Sequence, residues 1–293
     1  MVFCFDIGGT SIKYGAAHEE NGQIVFDARW ETPTDAKQLR GPGIENKVLA
    51  LIDELRGQYA PDGIAISTAG MVDHLSGAIL YANENIPEYT GRNLKQAVES
   101  RFSLPCAVEN DVNCAALGEA AYGAGKGADS VLCLTIGTGI GGAVILNGSV
   151  WHGHSSSAGE IGYMPLNGSA FEEQASTSAL VRNVAQRCGE QLDGRQIFAR
   201  AQSGDPVCTD AIAKQCETLA QGLAACICLL NPAVIVLGGG IMAQSDYLRP
   251  ILEAQLKQFV NPFVLSKTTL RFAELGNNAG MAGAFRWLQQ SQP

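Results

Sequence analysis

Apolar and polar positions alternate along the chain in short blocks, and the spacing of the apolar residues separates strands from helices. Brief apolar runs rich in Val and Ile predict strands, and apolar positions three or four residues apart predict helices. In the first half the predicted strands are residues 2–7, 11–17, 23–29, 63–69 and 106–109. The predicted helices there are residues 44–59, 93–102 and 111–122.

The same pattern restarts after a glycine-rich stretch at residues 123–129. Predicted strands follow at residues 130–136, 143–146, 233–237 and 269–273, and predicted helices at 176–188, 206–230, 247–259 and 279–289. Pro206 suits the first turn of its helix, and Asn231–Pro232 ends it. No linker or low-complexity segment separates the two halves.

A strand–glycine turn–strand unit occurs twice, at residues 2–17 and 130–146. Each unit opens a stretch that continues into helices and further strands. Two α/β halves of similar construction explain this repeat, although two unrelated hairpins in a glycine-rich chain explain it as well. We predict an N-terminal domain of residues 1–117, joined by the last helix at 279–293, and a larger domain of residues 118–278.

Composition narrows the functional classes. The chain has 293 residues, 46% apolar and 17% charged, with a net charge of −9 that argues against a nucleic-acid partner. No apolar run is long enough for a membrane span, and the N-terminus lacks a signal-peptide pattern. The nine cysteines are scattered without a C-x-x-C pair, which predicts buried reduced thiols and a cytoplasmic protein.

The first glycine turn combines an acid, two glycines and a hydroxyl in the run Asp6-Ile7-Gly8-Gly9-Thr10. Glycines let backbone N–H groups approach phosphate oxygens closely. Asp6 would be repelled by a phosphate, so we expect it to hold Mg²⁺ through water. An ordinary β-turn that contains an Asp remains an equally good interpretation of this run alone.

Two further glycine-rich runs resemble dinucleotide-binding loops. Residues 137–142 match G-x-G-x-x-G, but a β-prone run follows where a helix is required, so we predict a hairpin loop over a phosphate. Gly238–Gly240 lies between a strand and a predicted helix, which leaves a dinucleotide enzyme as a minor alternative. A Walker A loop is absent, because residues 120–127 lack its first glycine and its closing Ser or Thr.

An acid–amide pair, Asn110-Asp111, joins a predicted strand to a predicted helix. Asp111 can be a helix N-cap, which is the commoner role for a lone Asp in that position. A sugar-binding site needs fixed polar partners such as Asn110, and an adjacent Asp can accept the proton of the attacking hydroxyl. Both interpretations stay open on the residues alone.

Taken together, seven segments resemble the ROK family of bacterial sugar kinases, within the hexokinase/actin-like superfamily. They run in order along nearly the whole chain: FDIGGTSIK, AISTAGMVD, NIPEYTG, VENDVNCAALGE, LTIGTGIGGAVILNG, SAGEIGYM and VIVLGGGI. The resemblance implies the actin-like ATPase fold of the ribonuclease H-like class, an α/β fold with mixed sheets, two domains and ATP in the cleft between them.

The resemblance also implies roles for individual residues. Asp111 is expected to be the catalytic base. The residues expected at the sugar are Gly70, Asn85, Asn110, Glu160 and, by a looser alignment, Glu172. Those expected at ATP are Asp6, Gly8, Gly9, Thr10, Lys13, Thr138, Gly139, Gly239 and Gly240.

The chain departs from the family at its structural zinc site. Tyr163 stands where the family usually has a zinc-binding His that also touches the sugar, and residues 134–187 contain no cysteine. We therefore expect no zinc, and the pattern looks closest to β-glucoside kinases and some glucokinase-like members. The substrate preference that Tyr163 imposes stays open.

The expected function is that of an Mg²⁺- and ATP-dependent hexose kinase, a homodimer that phosphorylates O6 of glucose or of a β-glucoside. An N-acetylmannosamine kinase or another hexose kinase of the family is the alternative. A catalytically silent sugar-sensing regulator is a rival from another class. Such regulators carry an additional N-terminal DNA-binding region, for which this chain, with DIGGT from residue 6, is expected to have no room.

Overall fold

The computed structural model describes residues 1–292 and divides the chain into two compact units. Unit 1 comprises residues 1–126, 149–158 and the C-terminal stretch from residue 277, and unit 2 comprises residues 127–148 and 159–276. The chain therefore leaves unit 2 for ten residues and then returns to it. Within residues 1–292, no helix is long and apolar enough to cross a membrane.

The strands alternate with helices along most of the chain. In order the strands are β1 (Val2–Ile7), β2 (Ser11–Glu20), β3 (Gln23–Pro33), β4 (Gly63–Thr68), β5 (Met71–Asp73), β6 (Ala78–Tyr81), β7 (Cys106–Asn110), β8 (Ser130–Ile136), β9 (Ile140–Leu146), β10 (Ser149–Val150), β11 (Pro165–Leu166), β12 (Ser169–Ala170), β13 (Val234–Gly238) and β14 (Thr269–Phe272). The helices are α1 (Ala36–Arg56), α2 (Leu94–Phe102), α3 (Asp111–Tyr122), α4 (Phe171–Ala175), α5 (Thr177–Cys188), α6 (Gly194–Gln202), α7 (Pro206–Leu230), α8 (Ser245–Phe259), α9 (Pro262–Leu265) and α10 (Ala279–Ser291).

Unit 1 is built on a mixed five-stranded sheet in the order β3-β2-β1-β4-β7. β2 is antiparallel to β1 and β3, whereas β1, β4 and β7 run parallel, so the carboxyl ends of these three strands share one edge. Parallel strands are usually covered on both faces, and all six residues of β4 are buried. Asp6 in β1 and Asn110 in β7 consequently lie toward the same edge.

Helices α3 and α10 of unit 1 pack against each other at glycine positions. A Cβ atom on Gly283 would lie 1.6 Å from the carbonyl oxygen of Cys114, and one on Gly118 would lie 2.6 Å from that of Ala279. Only glycine allows such a close approach of two backbones. This packing fixes α3, whose first residue is Asp111, against the C-terminal helix.

Unit 2 repeats the arrangement, with β9, β8, β13 and β14 adjacent in that order. β9 is antiparallel to β8, and β8, β13 and β14 are parallel. In both units, therefore, a glycine-turn hairpin supplies the strand that begins the parallel part of the sheet. The predicted repeat is confirmed as a shared topology. The hydrophobic core of unit 2 includes residues of α5, α6, α7 and α8, such as Leu219, Leu223 and Leu252.

The element predictions hold for most of the chain but are wrong at several places. α1 begins at Ala36 rather than at residue 44, because Arg40, with a φ of 55°, joins two helical pieces at a kink. Pro42 lies in the first turn of the second piece, where its missing N–H costs little. α6 was not predicted, although Asp193 and Gln196 form the capping box that marks its start. The short elements α4, α9, β5, β6, β10, β11 and β12 were also missed.

Candidate functional site

The hairpin between β1 and β2 places Asp6 beside a glycine turn. The Asp6 carboxylate accepts a hydrogen bond from the Ser67 hydroxyl at 2.7 Å, and Lys13 Nζ lies 4.0 Å from its other oxygen. Burial raises the pKa of Asp6, and Ser67 and Lys13 oppose that rise. A Cβ atom on Gly280 would lie 2.5–2.8 Å from the three atoms of this carboxyl group, so a larger residue there would displace the Asp6 carboxylate.

Two hydrogen bonds of Gly8 fix the turn at residues 8–10, and the two residues that follow Gly8 are exposed. Gly8 donates to the carbonyl oxygen of Ser11 at 3.0 Å and accepts at its own carbonyl from Thr34 Oγ1 at 2.6 Å. Gly9 and Thr10 are exposed. A Cβ atom on Gly9 would meet nothing closer than the Asn85 Cβ atom at 3.9 Å. The Gly9 backbone is therefore exposed, and among the described residues only the Asn85 Cβ atom lies within 4 Å of that position, which leaves room for a ligand to approach.

The junction of β7 and α3 brings two predicted sugar-binding residues, Gly70 and Asn110, together with the predicted base Asp111. Asn110 Oδ1 accepts hydrogen bonds from the N–H groups of Val112 at 2.9 Å and Asn113 at 3.1 Å. Asn110 is therefore the N-cap of α3. Its Nδ2 donates to the carbonyl oxygen of Gly70 at 2.9 Å and to Asp111 Oδ1 at 3.0 Å.

Asp111 is the first residue of α3, and its ionisation is strongly perturbed. Burial of the carboxyl group, reinforced by the negative charge of Asp6, raises the pKa of Asp111 to about 7. Hydrogen bonds from the Val112 N–H and the Asn110 amide oppose the rise. A carboxylate with a pKa near neutrality is well suited to general base catalysis.

Gly70 adjoins this junction, and Asn85 lies beside the first glycine turn. Gly70 has a φ of 102°, and a Cβ atom there would lie 2.9 Å from the carbonyl oxygen of Tyr81. The backbone N–H of Asn85 donates to Asn83 Oδ1 at 3.0 Å. Asn85 thus lies in an exposed turn near Gly9, whereas Gly70 is joined directly to Asn110.

Next to the Asn110–Asp111 turn lies a buried carboxylate that the sequence interpretation missed. Glu109 is 1% exposed, and its Oε2 lies 2.6 Å from His152 Nε2. Glu109 lies within the quoted segment VENDVNCAALGE, but its strand position predicts no role for it, and His152 lies outside all seven segments. Only the return of residues 149–158 to unit 1 reveals the pair.

In unit 2, the β8–β9 hairpin has its own glycine turn at residues 137–139. Gly137 donates to the carbonyl oxygen of Gly139 at 2.9 Å, and Ile140 donates to Glu172 Oε2 at 3.1 Å. A Cβ atom on Gly139 would lie 2.3 Å from the same Glu172 oxygen. Glu172 therefore contacts the hairpin itself, which the sequence did not predict.

Glu160 lies in the same unit, just before a short 3₁₀ helix at Ile161–Tyr163. Loss of part of its hydration, together with the negative charge of Glu172, raises the pKa of Glu160. Tyr163 has 63% of its surface exposed. Two carboxylates and one tyrosine are thus available in this part of unit 2 for hydrogen bonds to a polyhydroxylated ligand.

A pocket of about 610 Å³ in unit 2 brings Thr138 and Gly240 together. Its volume falls in the range of sites for small ligands and cofactors. Gly239, with a φ of 107°, leaves room for the end of β8, since a Cβ atom there would lie 2.1 Å from the carbonyl oxygen of Ile136. The lining that sequence reasoning missed comes mainly from α5 and α6 and includes Thr177, Arg182, Asp193, Arg195, Phe198 and Gln244.

The side chains fit magnesium better than zinc. Asp6 offers a single carboxylate, which is sufficient when phosphate oxygens and water complete the coordination of Mg²⁺. Across residues 1–292, no three His, Cys, Asp or Glu side chains converge as a metal-binding group. Tetrahedral zinc needs such a group, so the donors present do not fit a structural zinc site.

Comparison with known proteins supports the resemblance to the ROK family over nearly the whole chain. The sequence profile described as ROK family matches residues 2–291. The chain is 33% identical to the beta-glucoside kinase of Listeria monocytogenes, over 99% of this chain and 98% of that protein. It is 48% identical to an uncharacterized protein of Clostridium perfringens, over 96% of this chain and 95% of the other.

A solved structure of a ROK family member is similar to this chain over nearly its whole length. The crystal structure of a ROK family glucokinase from Streptomyces griseus, in complex with glucose and AMPPNP, superposes with a TM-score of 0.82. The two chains are 28% identical, and 99% of each is covered.

Proposed function

The chain belongs to the ROK family, and from this premise we propose that it is a sugar kinase that transfers the γ-phosphoryl group of ATP to a hydroxyl group of a hexose. The observation that carries the proposal is the Asn110–Asp111 turn, where an amide fixed by four hydrogen bonds adjoins a carboxylate with a pKa of about 7. Such a carboxylate is ionised in part at neutral pH and remains basic enough to accept a proton.

In the proposed reaction, Asp111 accepts the proton of the attacking sugar hydroxyl. The sugar oxygen then forms a bond to the γ-phosphorus of ATP, and the bond from that phosphorus to the β–γ bridging oxygen breaks. ADP leaves with the electron pair of that bond. The protonated Asp111 returns its proton to solvent after product release. Phosphoryl transfer of this kind depends mainly on positioning and on charge stabilisation.

We propose one set of sugar-binding residues in unit 1 and another in unit 2. In unit 1 these are Gly70, Asn85 and Asn110. Asn110 has its amide oriented by the helix start and by Gly70, so it can present a fixed partner to a hydroxyl group. In unit 2 they are Glu160 and Glu172, with Glu172 also holding the hairpin.

We assign the nucleotide to the two glycine turns and to the pocket of unit 2. In unit 1, Asp6, Gly8, Gly9, Thr10 and Lys13 form a turn with room for a ligand beside Gly9, suited to phosphate oxygens. Mg²⁺, when bound with ATP, would neutralise the charge that develops on the phosphates, and Asp6 would hold it through water.

In unit 2 the remaining nucleotide residues are Thr138, Gly139, Gly239 and Gly240. Thr138 and Gly240 line a pocket whose wall includes the apolar side chains of Phe198 and Ile241 beside the charged Arg195. An apolar surface of this kind suits the base of a nucleotide, while the hairpin N–H groups suit its phosphates. The AMPPNP complex of the related glucokinase supports the use of ATP.

The finer proposal is that the acceptor is O6 of glucose or of a β-glucoside. The similarity to the Listeria beta-glucoside kinase and to a glucokinase bound to glucose supports it. The side chains of the described residues do not fit a zinc site. This is consistent with the β-glucoside kinases and glucokinase-like members, which the sequence resembles. A kinase for N-acetylmannosamine or another hexose is the alternative within the same reaction, and Tyr163 is the residue we expect to influence that choice.

The test is a screen of ATP consumption with Mg²⁺ over glucose, cellobiose, mannose, N-acetylmannosamine and fructose, followed by ³¹P NMR of the product. We expect turnover with glucose or cellobiose and no turnover with 6-deoxyglucose, which lacks the acceptor hydroxyl. Turnover of N-acetylmannosamine alone would replace the finer proposal with its alternative. Failure of every sugar, with sugar binding retained, would favour the silent sensor over the kinase.

A homodimer in the cytoplasm completes the proposal. The nine cysteines are free thiols in the structure and most are buried, which suits a reducing compartment. Light scattering on the purified protein at several concentrations measures the oligomeric state directly, and a mass of one chain at all concentrations would remove the dimer from the proposal.

A further inference from the structure

Glu109 stands immediately before the proposed base and has both carboxylate oxygens occupied. Oε1 accepts hydrogen bonds from the Asn110 N–H at 2.7 Å and from Asn113 Nδ2 at 3.0 Å. Oε2 faces His152 Nε2 at 2.6 Å. Asn110 and Asn113 lie on either side of Asp111 in the chain, so one oxygen of Glu109 holds both flanks of that residue.

His152 is held in place by rings as well as by Glu109. Its side chain is 10% exposed, and its ring stacks on that of His74 with centroids 3.8 Å apart and an angle of 8° between the planes. The Trp287 ring meets it edge-on at 5.4 Å. Burial, and next the proximity of His152, lower the pKa of His74, which keeps the stacking partner neutral near pH 7.

A backbone hydrogen bond joins the two ends of the segment from His152 to Ala158. The Ala158 N–H donates to the carbonyl oxygen of His152 at 3.2 Å, and His74 Nδ1 lies 3.4 Å from Ser156 Oγ. Residues 149–158 are thus anchored in unit 1 through the His152 side chain. The orientation of Glu109 depends on this anchor, because His152 Nε2 is a hydrogen-bond partner of Oε2.

We propose that Glu109 and His152 are positioning residues for phosphoryl transfer, which act by fixing the Asn110–Asp111 turn. The inference rests on the proposed role of Asp111 as base. His152 holds Oε2, Glu109 then presents Oε1 to the two asparagines, and the asparagines set the place of the Asp111 carboxylate. Misplacement of a reacting group by about 1 Å can lower a rate by about 100-fold.

A purely stabilising role is the competing explanation, because removal of one partner from a buried hydrogen bond leaves the other polar group unsatisfied and destabilises the fold. The two explanations differ in their consequences for folded enzyme. A stabilising pair changes the melting temperature and leaves the turnover of the folded fraction intact. A positioning pair lowers kcat in enzyme that is fully folded at the assay temperature.

The experiment compares wild type with His152→Leu, His152→Gln and the control His154→Leu, which changes an exposed histidine of the same segment. The side-chain amide nitrogen of glutamine is separated from Cβ by as many bonds as His152 Nε2, so it can still donate to Glu109. For each protein kcat, the KM for ATP, the pH profile of kcat and the melting temperature are measured with the best sugar of the screen.

We expect His152→Leu to lower kcat by about tenfold or more with little change in the KM for ATP. The acidic limb of its pH profile should move upward, because the hydrogen bonds from Asn110 and Val112 that lower the pKa of Asp111 are loosened. His152→Gln should recover most of kcat, and His154→Leu should behave as wild type.

Wild-type kcat in His152→Leu, or equal impairment of His152→Gln and His152→Leu, would overturn the proposal. If His152→Leu does not fold, His152→Asn replaces it, because asparagine keeps a polar side chain that is too short to reach Glu109 Oε2. Failure of the proposed function is recognised separately, since wild type would then show no turnover with any sugar.

Discussion

Asn110 caps helix α3 and is also hydrogen-bonded to Asp111, the first residue of that helix. Asn110 Oδ1 accepts hydrogen bonds from the N–H groups of Val112 and Asn113, and its Nδ2 donates to Asp111 Oδ1 at 3.0 Å. The cap of the helix is thus supplied by Asn110, although Asp111 Oδ1 also accepts from Val112 at 3.0 Å. The capping role that the sequence left open for Asp111 belongs chiefly to its neighbour. The Asp111 carboxylate is therefore available for chemistry.

The raised pKa of Asp111 predicts how its replacement affects stability. In the unfolded chain an Asp has a pKa of about 3.9, whereas the pKa of Asp111 in the folded protein is about 7. The folded state therefore binds an extra proton between these values, and this group makes stability fall as pH rises from about 4 to about 7. Asp111→Asn removes that dependence.

Urea unfolding of wild type and Asp111→Asn at pH 5 and pH 8, without nucleotide or Mg²⁺, measures the effect. The variant should gain stability relative to wild type on going from pH 5 to pH 8. The change with pH is the informative quantity, because it cancels any constant cost of the buried amide. An identical pH dependence in the two proteins would show that the folded pKa of Asp111 is close to that of an ordinary Asp.

Gly9→Ala tests whether the first glycine turn faces a ligand. The added methyl group meets only the Asn85 Cβ atom at 3.9 Å, and Gly9 has no positive φ, so the melting temperature should not change. If phosphate oxygens approach this backbone, the KM for ATP should rise about tenfold or more. Calorimetric binding of the sugar without nucleotide is the control and should be retained. A normal KM for ATP would remove Gly9 from the nucleotide site.

Glu172→Ala tests the contact between Glu172 and the second glycine turn. Removal of the carboxylate leaves the Ile140 N–H without its acceptor and loosens the hairpin at residues 137–139. The KM for ATP should therefore rise, while Glu172→Gln, which keeps an acceptor oxygen, should stay closer to wild type. A rise in the KM for the sugar alone would mean that Glu172 serves the sugar and that its contact with the hairpin is incidental.

The donor set predicts that the purified protein holds no stoichiometric zinc. Residues 134–187 contain no cysteine, and among residues 1–292 no group of three His, Cys, Asp or Glu side chains could hold a metal ion. Elemental analysis after expression in zinc-supplemented medium measures the content. Chelators that spare Mg²⁺ should leave activity and melting temperature unchanged. About one tightly bound zinc ion per chain would contradict the prediction.

Much of the fold follows from local sequence. The apolar runs predict nearly every strand of the two main sheets, and the glycine turns predict the two hairpins, because strand spacing and turn chemistry are local signals. α6 was missed although its capping box is local, and the start of α1 was missed because Arg40 adopts a conformation that propensity does not predict.

The site could be predicted only in part. Asp111 and the glycine turns carry recognisable motifs, but the Glu109–His152 contact joins residues 43 positions apart through a segment that leaves unit 2 and returns. Such a contact depends on the path of the chain in space and leaves no periodic trace. The same holds for Glu172, whose bond to Ile140 spans 32 positions.

The most direct test of the account is the kcat of Asp111→Asn for ATP-dependent phosphorylation of the best sugar. Asparagine keeps the shape of the side chain and an oxygen for the bonds from Asn110 and Val112, and it removes only the basicity and the charge. If Asp111 is the base, the Asp111→Asn enzyme should fold, bind sugar by calorimetry and have kcat lowered by roughly 100-fold or more. A folded Asp111→Asn enzyme that keeps more than about a tenth of the wild-type kcat would show that Asp111 is not the base.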